Sequence, residues 1–173
     1  MKCLILTAGI LLATATSGEP QAPAVTPEHE QLMTLVGAWK ADGAFLGGSV
    51  KGELICDRFL GGFHVVCRAH YELTKDGATR PYEEIVIWGY HPEERVYVWQ
   101  GANSHGWTPL GGVRGKREPN GWSWTHEARE TGKTVSYRWA FVETKDSFTV
   151  KGESAPAGSA WQPFVDCAFT RVR

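Results

Sequence analysis

Charge of one sign is missing from this chain. Its 18 Lys and Arg nearly balance 19 Asp and Glu, and the formal net charge is -1. A nucleic-acid backbone calls for a concentrated basic face, and no such clustering is present. No charge run marks a disordered tail. Long apolar runs are missing as well. The longest, Leu4 to Leu12, is too short to span a bilayer, so no stable membrane insertion is expected. There is no G-x-S-x-G, no P-loop and no G-x-G-x-x-G between a strand and a helix. No H-x-H or C-x-x-C spacing points to a metal site. No catalytic set is therefore assigned, and a binding module is expected rather than an enzyme.

What is abundant is Gly, at 20 residues, and Trp, at 8. That pairing fits short strands, tight turns and an interior filled with large rings. The N-terminus has the form of a secretory signal over residues 1–15: Lys2, the apolar run, then a small-x-small site at Ala13-Thr14-Ala15. Residues 16–26 read as a flexible lead and residues 27–173 as one domain. The expected location is periplasmic or secreted. Cleavage removes Cys3 and leaves Cys56, Cys67 and Cys167 in an oxidising compartment.

Thr26-Pro27 opens a helix of roughly ten residues, with Thr26 as N-cap, and Gly37 stops it. From Trp39 onward the apolar period is two, which is the period of a strand. Val50 to Phe59 is the second strand. The third alternates Phe63, Val65, Cys67, Ala69 and Tyr71 against His64, Arg68 and His70. The fourth and fifth, near Tyr82 to Tyr90 and Val96 to Gly101, are apolar on both faces, so their inward side is not assigned. The sixth runs over roughly Thr108 to Arg117. About ten sequential antiparallel strands exceed what one open twisted sheet holds. The expected fold is all-β: a closed up-and-down barrel of about ten strands with one short N-terminal helix. A two-sheet sandwich is the alternative. The Gly61-Gly62 turn places Cys56 opposite Cys67, both inward, and predicts a disulfide between them with Cys167 reduced.

Asn120-Gly121 is a strong hairpin signal. With that dipeptide as turn centre, the face carrying Ser123, Thr125 and Glu127 is wholly polar and must be outside. Trp122, Trp124 and His126 are then inside, with Tyr137 and Trp139 beside them on the next strand: Trp124 next to Tyr137, Trp122 next to Trp139. This aromatic wall lines a ligand cavity or fills a core. His126 is the only strand-borne His expected inward, and His105 lies in a loop at a barrel mouth. Haem through His126 is a minor possibility, as in nitrobindin-like barrels; otherwise no cofactor is expected. Glu83-Glu84 cannot form a dyad, because adjacent strand residues point to opposite faces.

Strand parity also turns Arg171 inward near Trp39, where stacking on the indole offsets the cost of burying a charge. With "LVGAW", the segments "CDRFLGGFHVVCR", "IWGYHPEERVYVW" and "SAWQPFVDCAFTRVR" span residues from about 32 to 173. Together they resemble a lipocalin-like (calycin superfamily) bacterial domain-of-unknown-function family. The resemblance implies the barrel and a Trp–Arg pair at its base, and it brings no catalytic residues. The expected function is binding of a small hydrophobic molecule, apolar or aromatic. The alternatives are a calycin-type isomerase or hydrolase using His126, and a structural barrel with a filled core.

Overall fold

The computed structural model describes residues 23–109 and 111–173. The expected signal peptide, and the lead as far as residue 22, lie outside the described residues. Helix α1 is Pro27–Leu32, followed by a 3-10 turn over Met33–Leu35. At its start, Nδ1 of His29 accepts the Thr26 backbone N–H at 3.1 Å, closing an end that would otherwise leave a donor unpaired. His29 is buried, edge-on to Phe63 and Tyr90.

Ten antiparallel strands follow. They are β1 (Gly37–Phe45), β2 (Gly48–Phe59), β3 (His64–Lys75), β4 (Ala78–His91) and β5 (Val96–Asn103), then β6 (Val113–Glu118), β7 (Gly121–Glu130), β8 (Lys133–Glu143), β9 (Ser147–Pro156) and β10 (Gln162–Arg171). Each pairs with its sequence neighbour, and β10 returns to pair with β1, so the sheet is a closed barrel. The sandwich alternative is excluded by that closure. Among the described residues no helix is long and apolar enough to cross a membrane.

Two expectations about registers and bounds need correction. The β6–β7 turn is Pro119-Asn120, because Glu118 pairs with Gly121. Neither turn residue has positive φ, so this is not the type I′ turn that an Asn-Gly centre favours. Moving the centre by one residue slides the pairing by two and preserves which face is inward. The next hairpin, set by its own Thr131-Gly132 turn, also differs by two residues from the expected register: Trp122 pairs with Phe141, Trp124 with Trp139 and His126 with Tyr137. Strand β6 begins at Val113, later than expected. Gly111 and Gly112 both hold positive φ, at 77° and 74°, which breaks the extended chain before it.

Helix α1 and its 3-10 turn seat against one end of the barrel. Leu32 and Leu35 are buried there, and the Tyr97 hydroxyl donates to Gln31 Oε1 at 2.8 Å. Beside them the seam closes at the pair Trp39–Arg171. The guanidinium carbon of Arg171 sits 4.0 Å from the Trp39 ring centroid. Its two terminal nitrogens donate to the backbone carbonyls of Val36, at 2.8 Å, and Thr34, at 3.0 Å. Trp39 Nε1 donates to the Leu35 carbonyl at 2.8 Å. Gly37, at φ 138°, has no room for a side chain, because a Cβ would overlap the Arg171 guanidinium.

Cys56 and Cys67 are register partners across the β2–β3 hairpin and form a disulfide. Their Cα atoms are 4.0 Å apart, the close spacing of a non-hydrogen-bonded pair. Cys167 is a free, buried thiol.

Arg171→Ala is expected to lower stability by roughly 1–3 kcal/mol, because it removes the stack and leaves two carbonyls without donors. The urea-unfolding midpoint at constant slope measures it. A midpoint equal to wild type would show that the seam does not depend on this side chain.

Candidate functional site

Strand alternation aims every second side chain into the barrel. On β4 the inward row is Tyr82, Glu84, Val86 and Trp88, while Ile85 and Ile87 are exposed outside. A bulge between Pro163 and Val165 in β10 turns two successive residues, Phe164 and Val165, toward the interior.

The interior is partly filled and partly open. Near the helix end, Trp122 and Trp124 are each about 1% exposed and pack solidly. The Trp124 indole lies over Gly115, its register partner, where a Cβ would overlap the ring. Trp124 meets Trp88 edge-on at 5.0 Å, and Arg117 covers Trp122 at 4.1 Å from its ring centroid. The rest of the barrel encloses a cavity of about 510 Å³. Leu35 and the Cys56–Cys67 bridge lie toward its floor. Its walls reach Leu46, His105, Glu130 and Phe164 at the end opposite the helix, where Leu46 and Glu130 are exposed. The cavity therefore opens away from α1.

The expected lining residues separate into two groups. Tyr137 and Trp139 line the cavity and stack on each other at 5.7 Å. Trp122 and Trp124 belong to the filled part instead. His126 also lies outside the lining, with Trp107 and Tyr137 each 6.4 Å away and the Gly112 carbonyl beside it. Its partial burial lowers the imidazole pKa. A haem in this cavity would not find its axial ligand in His126. Among the described residues no group of three His, Cys, Asp or Glu is arranged to hold a metal ion.

The polar groups of the cavity are mostly ones that the sequence reading passed over. Glu84 projects inward between its register partners Ala69 and Asn103. No described residue hydrogen-bonds its carboxylate, and burial alone pushes its pKa up to about 7. Tyr71 and Tyr82 stand next to it, stacked at 6.2 Å with their planes 8° apart. Burial and the nearby Glu84 charge hold both hydroxyls well above their ordinary pKa. His105 sits edge-on to Tyr82 at 5.1 Å. Asn103 shapes the loop beneath it: its Oδ1 accepts the backbone N–H groups of His105 and Trp107. Across the mouth, the Tyr137 hydroxyl donates to Glu130. Cys167 also faces the cavity, and burial raises its thiol pKa to about 11, so it is an unreactive thiol at neutral pH.

No family model matches the chain, and no curated protein matches it. Among solved structures it is similar to the crystal structure of Rv2717c from M. tuberculosis, with a TM-score of 0.61 and 14% identity. The match covers 87% of this chain and 100% of that one. At such identity the likeness is one of fold. What the chain has is that fold: a closed ten-stranded antiparallel barrel.

Glu84 is a carboxyl whose folded pKa lies above its unfolded one. From about pH 4.5 to about 7 the folded chain holds a proton that the unfolded chain has released, so stability falls as pH rises across that window. Glu84→Gln removes the penalty. The variant is expected to match wild type near pH 4 and to exceed it by roughly 2–3 kcal/mol near pH 8. Paired denaturation curves across that range measure the gap, and a gap independent of pH would refute the assignment.

Proposed function

We propose that this protein is a periplasmic or secreted barrel that binds a small, largely apolar or aromatic molecule. The observation that carries the reading is the cavity itself. At about 510 Å³ it falls in the size range of sites for drug-sized ligands. Close to half of its lining residues are Phe, Tyr or Trp, so transfer of an apolar skeleton from water is favourable. One end is sealed by α1 and the Arg171 cap, which leaves a single direction of access. The Cys56–Cys67 disulfide supports an oxidising compartment, in keeping with the expected signal. The filled-core alternative accounts for Trp122 and Trp124 but not for the space above them. The isomerase or hydrolase alternative rested on His126, which is outside the lining.

The test is a titration of the purified chain with N-phenylnaphthylamine, an apolar dye that is uncharged at neutral pH. Saturable dye fluorescence, a matching change in Trp emission and a raised melting temperature are expected. Val150→Trp should weaken binding at least tenfold, a loss of about 1.4 kcal/mol, because Val150 lines the cavity and the indole would fill it. His126→Phe should leave the affinity unchanged. Absence of saturable binding to wild type would remove the reading, and loss of binding in His126→Phe would extend the site to the β7 wall between Trp107 and Tyr137.

A further inference from the structure

The charge of the cavity lining is one-sided. Among the described residues that line it there are two carboxylates, Glu84 and Glu130, and no Lys or Arg. The Tyr137 hydroxyl engages Glu130 at the exposed rim. Glu84 lies deeper and has no hydrogen-bond donor and no counter-ion among the described residues. A half-buried carboxylate in an aromatic chamber is costly without a partner, because burial thins the water around the charge and no protein donor replaces it.

Resting on the reading of the barrel as a binding protein, we infer that its ligand is an organic cation, a protonated amine or quaternary ammonium on an apolar or aromatic skeleton, with Glu84 as its counter-charge. Three features of the cavity favour this class. An ammonium within reach of Glu84 gives the carboxylate the ion pair that the chain withholds. Tyr71 and Tyr82 stand beside Glu84, and Trp88, Trp99 and Trp139 line the same space, so ring faces are available to a cation from several sides. A ligand carboxylate, by contrast, would meet two like charges and no guanidinium or ammonium to receive it.

The competing use of Glu84 is as a neutral acid donating a hydrogen bond to a carbonyl ligand. The two uses differ in their dependence on pH. Binding of a permanent cation strengthens as Glu84 ionises, so affinity rises with pH; binding of a neutral acceptor weakens over the same range. The other titratable groups facing the cavity are Tyr71 on β3, Tyr82 on β4, His105 in the β5–β6 loop, Glu130 on β7, Tyr137 on β8 and Cys167 on β10. The three tyrosines and the thiol are held above their ordinary pKa values and remain neutral below about pH 8. His105 and Glu130 require variants of their own.

The experiment uses four probes on one naphthyl skeleton: naphthylmethyl-trimethylammonium, naphthylmethylamine, naphthylmethanol and naphthylacetate. Each is titrated calorimetrically against the full chain. At about pH 8 both cations should bind at least tenfold more tightly than the alcohol, and naphthylacetate more weakly than the alcohol. Affinity for the quaternary ammonium should rise about tenfold between about pH 6 and pH 8, following the ionised fraction of Glu84. Glu84→Gln should bring the ammonium down to the level of the alcohol, and a cooperative melting transition shows that the variant is folded. His105→Asn and Glu130→Gln should keep the preference. Alcohol binding equal to ammonium binding would overturn the cation inference while leaving the binding reading in place. A preference that survives in Glu84→Gln, or that disappears in Glu130→Gln, would overturn the role of Glu84. No binding of any probe would overturn both readings together.

Discussion

The structure depends on how the first and last strands are joined. Every other seam of the barrel joins strands that are consecutive in the chain, but β1 and β10 meet from opposite ends of the domain. Closing that loop costs chain entropy that no local contact recovers. The Arg171 side chain concentrates the compensation at one place. It stacks on Trp39, its register partner, and binds the carbonyls of Val36 and Thr34, just where the chain leaves the 3-10 turn for β1. One side chain thus locks the seam and also holds the helical plug. Gly37 follows from the same geometry, since the guanidinium occupies the space in which any side chain would stand.

With one end plugged, the volume of the interior depends on which inward positions carry large rings and which carry none. Gly115 lets Trp124 lie flat against the wall, and Gly152 does the same for Trp139. The two results differ. Trp124 joins Trp88 and Trp122 in a packed layer near the helix, while Trp139 lines open space with Tyr137 stacked on it. Filled core and cavity are therefore adjacent layers of one barrel. The packed layer is rigid and gives the cavity a firm wall, which limits how far the site can collapse when empty.

The fold was legible because its signals are redundant. Parity along β3, β7 and β10 decided the inward faces, and a face assignment survives an error of two residues in register. For that reason the two-residue difference in the β7–β8 register moved Trp124 from Tyr137 to Trp139 without turning any side chain over. The lining was less legible, because alternation tells inward from outward and says nothing about depth. Trp122, Trp124 and Tyr137 are all inward, yet only Tyr137 lies where the barrel is empty. Glu84 escaped for another reason. Ile85 and Ile87 face solvent while a carboxylate faces in, so hydrophobicity along β4 is inverted at that point. A signal for it did exist in the turn before it. Asp76 and Gly77 both adopt positive φ, as a two-residue Asp-Gly hairpin requires, and that turn pairs Glu84 with Ala69, which the β3 alternation already sets inward.

A local rule broken in this way calls for a compensating gain, and packing supplies none. An inward Ile with an outward Glu would satisfy the pattern of β4, remove an unpaired charge and fill part of the space. The chain does the opposite at the middle of β4. The neighbours offer no relief, because Tyr71 and Tyr82 beside it are neutral rings and no described Lys or Arg lines the cavity. Such an arrangement is unfavourable only while the cavity holds nothing that complements it. Folding has already removed part of the water from Glu84, so a cation that arrives gains the ion pair without again meeting the full desolvation cost of the carboxylate. That difference between the empty and the occupied barrel is what makes the misplaced carboxylate intelligible, and it ties the least stable feature of the sheet to the binding of a ligand.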